Sequence, residues 1–234
     1  STTSALLNNL TMIDTQVTDS GANGVYLQGT TVATLSNVVL DGLDITDSSE
    51  IGLAITSTTA GSLVDNITVS DLNIIDSGAT GLYLNASTAG LLTDASFTNT
   101  DIQDTGSSGM YIFATGTGAT IDNLTMTNTS IDDAGSNSAL VQVTSTGVVS
   151  DLILQGLDIT DSSDNGLYFN SQGASSQITN FTVDDTNITN TKGGIGLLFI
   201  AQTTSTIQNG AVSDVVIDGA GERGLYLNSD ATGS

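Results

Sequence analysis

Apolar and polar residues alternate with period two through short runs of this chain, and the same runs return every 28 to 30 residues. The clearest marker is a Gly-apolar-Tyr-apolar-polar pentad, seen as Gly24-Val25-Tyr26-Leu27-Gln28, Gly81-Leu82-Tyr83-Leu84-Asn85 and Gly224-Leu225-Tyr226-Leu227-Asn228. Its first position falls at Gly24, Gly52, Gly81, Gly109, Ser138, Gly166, Gly196 and Gly224. Alternation of this kind puts one set of side chains inward and the next outward on an extended strand, and a fixed period of this length marks a solenoid. A β-branched column follows the same period: Val17, Ile45, Ile74, Ile102, Ile131, Ile159, Ile188 and Ile217. A further apolar column starts at Leu10, Val38 and Ile67 and is broken only by Gly210 in the last unit. No segment repeats at 3.6 residues, so helices are not expected.

Each unit therefore reads as three short strands joined by bends. Pairs such as Asp41-Gly42, Ser70-Asp71, Thr127-Asn128 and Asp184-Asp185 occupy one bend, where Gly, Asn and Asp tolerate positive φ and close side-chain turns. Another column holds Asn9, Asn37, Asn66, Asp94, Asn123, Asp151, Asn180 and Asn209. Asn or Asp in every unit is expected to form a buried ladder of side-chain amides along the axis. The run Leu40 to Ser49 returns almost unchanged as Leu154 to Ser163, so the reading is a single domain over 1–234 with a four-coil block duplicated over roughly 9–122 and 123–234.

With strands, bends, an Asn column and apolar ladders in place, the whole chain resembles a right-handed parallel β-helix of the pectin-lyase-like superfamily. The fold this implies is all-β, a right-handed solenoid of about eight coils of 28–29 residues, each with three short strands. Members of that superfamily include polysaccharide lyases and hydrolases, phage tailspikes and surface adhesins, so the resemblance brings a fold without a single task.

Composition narrows the chemistry. Two Lys and Arg stand against 25 Asp and Glu, a net charge of −23, with no Cys, His, Pro or Trp. Such a surface repels nucleic acid, anionic membranes and uronic acid polymers. Without Cys there are no disulfides or thiolate metal sites, and without His there is no imidazole base or ligand. No stretch reaches transmembrane length, so membrane insertion is not expected. An acidic chain rich in Ser, Thr, Asn and Gly suits an extracellular or cell-surface setting in a prokaryote.

All five tyrosines share one column, Tyr26, Tyr83, Tyr111, Tyr168 and Tyr226, with Ala54, Leu140 and Leu198 between them. Their pentad neighbours face inward, so this column is expected outside, as an interface or sugar-stacking stripe. The turn before the pentad carries Asp47, Asp76, Asp104, Asp133 and Asp161, an oxygen-only column whose hard-cation candidate is Ca²⁺. Carboxylates for hydrolysis are Asp184 with Asp185, Asp132 with Asp133, and Glu222. Seven Asn-X-Ser/Thr sequons occur. Those at Asn9, Asn66, Asn123 and Asn180 fall in the ladder, where burial would bar a glycan, while Asn85, Asn128 and Asn187 stay open to one.

The last unit stops after its pentad, while Ser1 to Asn8 matches the segment that elsewhere follows one, so that one copy is expected to complete the coil begun by the next. The function read from these features is a non-enzymatic extracellular structural protein, a rod assembling head to tail into a filament or forming an adhesin shaft, with a second copy or a host cell-surface ligand as partner and no cofactor besides the candidate Ca²⁺. The alternative is a carbohydrate-active enzyme or carbohydrate-binding module of the pectin-lyase-like superfamily. A row of outward Thr11, Thr68, Thr125 and Thr182 raises ice binding as a third reading, weakened by Val39, Ser96, Ile153 and Ala211 within the row.

Overall fold

A computed structural model describes residues 4–230. The pentads become short strands, Val25–Gly29, Leu53–Ser57, Leu82–Ser87, Met110–Thr115, Ala139–Thr144, Leu167–Gln172, Leu197–Gln202 and Leu225–Asp230, which form an eight-stranded sheet. The other extended runs join through their bends into long strands such as Thr34–Ser48, Leu63–Ser77, Leu91–Thr105 and Thr120–Ala134, the body of an eleven-stranded sheet. All pairing is parallel and offset by one coil, so each column of the sequence becomes a physical stack. Ile45 pairs with Ile74, Ile74 with Ile102, and Ile102 with Ile131. Columns of like residues are what such pairing demands, because every side chain lies against its own counterpart.

The long strands turn at left-handed residues placed five apart. Three occur in each of the eight coils, as at Asn37, Gly42 and Asp47 or Asn123, Asn128 and Asp133, with φ between 47° and 67° throughout. All 24 (three in each of eight coils) hold Asn, Asp or Gly. Other L-residues lose about 1–2 kcal/mol in this conformation, whereas Asn and Asp recover part of it through local hydrogen bonds. The third position of each triplet is the acidic column before the pentad. Its Asp residues are thus called for by the backbone.

The hydrophobic interior is continuous. Leu40, Ile45, Ile55, Ile67, Ile74, Leu84, Phe97, Ile112, Ile131 and Phe169 are all fully buried. The pentad glycine and the β-branched column lock together: a Cβ on Gly81 would lie 2.4 Å from Ile102 Cγ2 and 2.7 Å from the Gly109 carbonyl oxygen. The bare Cα leaves room for the isoleucine methyl of the next coil. Gly210, the break in the apolar column, has an equally local cause. A Cβ there would meet Phe181 Cζ at 2.0 Å, so the phenyl ring covers the space a side chain would fill. Phe181 also stacks on Phe169, centroids 4.9 Å apart, and Phe169 stacks on Phe199 at the same distance.

One expectation is corrected by the bends. The Asn column is not buried: Asn9, Asn37, Asn66, Asn123, Asn180 and Asn209 are all exposed, because a left-handed corner turns its side chain out of the coil. The amides still bond coil to coil, Asn66 Nδ2 donating to Asn37 Oδ1 at 2.5 Å, Asn123 Nδ2 to Asp94 Oδ1, and Asn209 Nδ2 to Asn180 Oδ1 at 3.3 Å. Burial therefore does not bar a glycan from Asn9, Asn66, Asn123 or Asn180, whereas Asn85 is 6% exposed. A buried amide pair exists elsewhere, where Asn165 Nδ2 donates to Asn137 Oδ1 at 2.8 Å.

Two substitutions test these constraints by thermal unfolding. Asn66→Ala is expected to cost about 1–2 kcal/mol and Asn66→Gly far less, the ordering set by left-handed strain; equal losses would contradict the corner assignment. Gly81→Ala is expected to cost about 1–3 kcal/mol or more as overpacking, against a negligible change if the coils can part to admit the methyl.

Candidate functional site

The short-strand sheet presents the tyrosine column outward. Tyr83, Tyr111 and Tyr168 each sit between buried neighbours, as Tyr83 between Leu82 and Leu84, and Tyr26 is 49% exposed while the other four are half-buried. In-register pairing brings Tyr83 beside Tyr111, ring centroids 5.4 Å apart with planes tilted 45°. Phe113 extends the run, its ring stacked at 5.2 Å on Tyr111. Three contiguous rings thus pave the middle of this face. Phe113 was hidden to column reading because it stands where the pentad carries a polar residue; an aromatic at a polar position was the signal.

The column is not one unbroken stripe. Ala54 is fully buried and Leu198 is 5% exposed, so Tyr26 and Tyr226 are set apart from the central rings. Leu140 is half-buried between Tyr111 and Tyr168. Beside the aromatics runs a row of amides and hydroxyls. The Thr56 hydroxyl donates to the Tyr26 oxygen at 3.4 Å, Asn85 Nδ2 donates to the Phe113 carbonyl at 3.1 Å, and the Tyr111 hydroxyl donates to Gln142 Oε1.

Tyr83, Tyr111 and Tyr168 are held as neutral phenols. Burial pushes the phenols of Tyr83, Tyr111 and Tyr168 above their ordinary value, with smaller contributions from Tyr26 on Tyr83, Tyr83 on Tyr111 and Asp164 on Tyr168. Both basic residues are engaged: Lys192 lies 3.4 Å from Asp133, and Arg223 lies 3.8 Å from Glu222 with its guanidinium 4.8 Å from the Tyr226 ring centroid. These pairs are exposed and screened, so they contribute little stability, but they leave no cluster of positive charge on the face.

The carboxylates are dispersed. Asp132 and Asp184 belong to long strands on the other sheet, where Asp132 accepts from the Thr160 hydroxyl and Asp184 from the Ser213 hydroxyl at 2.6 Å. Asp133 and Asp185 are left-handed corner residues. Asp94, Asp122 and Asp151 line a recess of 560 Å³ with Asn123, Ile153, Asn180 and Thr182. The column Asp47, Asp76, Asp104, Asp133 and Asp161 also sits at corners, and no group of three or more metal-ligating side chains gathers among the described residues. No helix among them is long and apolar enough to cross a membrane.

The coil geometry agrees with comparison to known proteins. A family model described as a right-handed beta helix region matches residues 4–151 and 64–233, and the chain belongs to this right-handed β-helix family. A search of curated proteins returns no match. Among solved structures, the chain is similar to the catalytic domain of a GH87 alpha-1,3-glucanase D1069A in complex with tetrasaccharides, at 15% identity and a TM-score of 0.44 over 94% of this chain and 50% of that one. It is also similar to the catalytic unit of a thermostable GH87 alpha-1,3-glucanase from Streptomyces thermodiastaticus strain HF3-3, at 13% identity and a TM-score of 0.39 over 97% and 50% of the two chains. The chain spans about half the length of these two structures. At such identity the likeness concerns the fold. The expectation of a non-enzymatic chain is corrected by this finding, since two of the similar structures are catalytic domains.

The raised phenols set a pH window. Native Tyr111 holds its proton more tightly than an unfolded tyrosine, whose ordinary value is 10.0, so its contribution is intact below that pH and is lost as pH climbs beyond it. Thermal scans from about pH 9 to 11 are expected to show a falling melting temperature, with a shallower fall in Tyr111→Phe. Identical slopes would remove Tyr111 from the account.

Proposed function

We propose that the outward face of the short-strand sheet binds an uncharged polysaccharide, as part of an extracellular carbohydrate-active β-helix protein. The observation that carries this reading is the contiguous run of Tyr83, Tyr111 and Phe113 on an ordered, half-buried face. Aromatic rings offer apolar platforms to sugar faces, while neighbouring amides and hydroxyls supply directional hydrogen bonds. Charge supports the same class of ligand. A net charge of −23 disfavours a uronic acid polymer and is indifferent to a neutral one.

Affinity electrophoresis through gels containing neutral glucan, galactan or mannan tests the reading, with polygalacturonate as the charged control and released reducing ends measured in parallel. Retardation by at least one neutral polymer is expected, with affinity falling about tenfold in Tyr111→Ala, equivalent to about 1.4 kcal/mol. Free migration in every neutral gel would refute it.

A second reading, self-association through strand edges, draws on exposed apolar side chains of the outer described coils: Leu6 and Leu7 on one, Leu225 and Leu227 on the other. These edges carry the backbone pattern that pairs successive coils within the stack. Of the residues invoked for head-to-tail completion, Ser1 to Asn8 and Ser229 to Ser234, those at 1–3 and 231–234 lie outside the described residues. Light scattering over a concentration series is expected to show growing particles, and a constant monomer mass would contradict this reading.

A further inference from the structure

Asn170 differs from every other residue of the outward amide row. By strand alternation it faces outward, since Phe169 and Ser171 beside it point into the fully buried interior. Yet Asn170 is only 4% exposed, and its Oδ1 is buried without a hydrogen-bond donor. Asn85, the same pentad position three coils earlier, is almost as buried, but its Nδ2 is bonded to the Phe113 carbonyl at 3.1 Å. A buried acceptor left unbonded is a cost to folding, and Asn170 is the one amide that bears it, the other unbonded buried side-chain atoms among the described residues being the hydroxyls of Ser48, Ser77, Thr100 and Thr129.

The surroundings of Asn170 complement that acceptor. Its cross-strand neighbours are Gln142 and Ile200, and Tyr168 and Gln172 flank it along its own strand. All four are half-buried side chains on the outer surface. What covers Asn170 is therefore one layer of side chains, whose rotamer changes are fast and involve no opening of the backbone. Gln142 uses its Oε1 to accept the Tyr111 hydroxyl, which leaves its Nε2 as a donor on the residue paired with Asn170. An acceptor, a donor and a phenol ring on adjacent positions match a sugar hydroxyl, which both donates and accepts, carried on a ring with an apolar face.

We propose that Asn170 is the hydroxyl-reading subsite of the sugar-binding face: a hydroxyl of an uncharged sugar donates to Asn170 Oδ1 and accepts from Gln142 Nε2, with the sugar ring against Tyr168. This rests on the proposed polysaccharide-binding role of the same face. Asp164, close enough to act on the Tyr168 phenol, makes the position unfavourable for sugars bearing a carboxylate. A site built to bond a hydroxyl discriminates strongly against ligands that lack one there, because its polar groups are then left unpaired.

Asn170→Leu separates this role from a structural one. The leucine removes a buried unbonded acceptor at similar volume, so the melting temperature is expected to rise, while affinity for the neutral polysaccharide that retards the wild type falls tenfold or more. Asn85→Leu, which breaks a bond the chain makes to itself, is expected to lower the melting temperature. Asn170→Ala serves where leucine impairs folding, with the same loss of affinity expected. Wild-type affinity in both folded Asn170 variants would overturn the subsite and leave the binding face standing. Failure of the wild type to bind any neutral polymer would overturn both.

Discussion

Parallel pairing at an offset of one coil sets each residue against its counterpart 28 to 30 positions away, and the remaining architecture answers to that stacking. Identical backbone paths must be repeated eight times, so the corners must be the same in every coil. Asn, Asp and Gly at five-residue spacing meet that demand, because they accept left-handed φ at low cost. Stacked isoleucines then need a bare Cα in the preceding coil, which the pentad glycine provides at Gly24, Gly52, Gly81, Gly109, Gly166 and Gly196. With no cysteine in the chain, a long hydrophobic interior shared between neighbours takes the place of disulfides as a source of stability.

The fold was legible in the sequence because stacking converts periodicity into columns. Strand runs, bends and the outward tyrosines follow from period two within a coil and a constant period between coils. What escaped column reading was how high each side chain stands above its sheet. Asn37 and Asn66 were expected to be buried because they recur before inward strands, but a left-handed residue directs its side chain outward. Leu198 and Ala54 were read as links in an exposed stripe, yet tall neighbours bury them. Phe113 joined the aromatic run from a position the repeat reserves for polar residues. Differences from the consensus carried more about the site than the consensus did.

The same regularity bears on function. A repeated scaffold presents flat, ordered rows, and chemistry is written onto it by the positions that depart from the rows. Twelve of the 25 acidic residues are Asp at left-handed corners, so for these the backbone and not catalysis is the reason for the carboxylate. The outward aromatics Tyr83, Tyr111 and Phe113 and the unbonded amide of Asn170 have no comparable backbone reason. Both lie on the short-strand sheet, and both suit an uncharged, hydroxyl-rich polymer better than a charged one.

Chemical footprinting of the tyrosine rings, with and without saturating neutral polysaccharide, probes the face and its ligand together. The account predicts that Tyr83 and Tyr111 are modified in the free protein and shielded in the complex, while Tyr26 changes least. Tyrosines inert in the free protein, or rings modified equally in the presence of polymer, would contradict it.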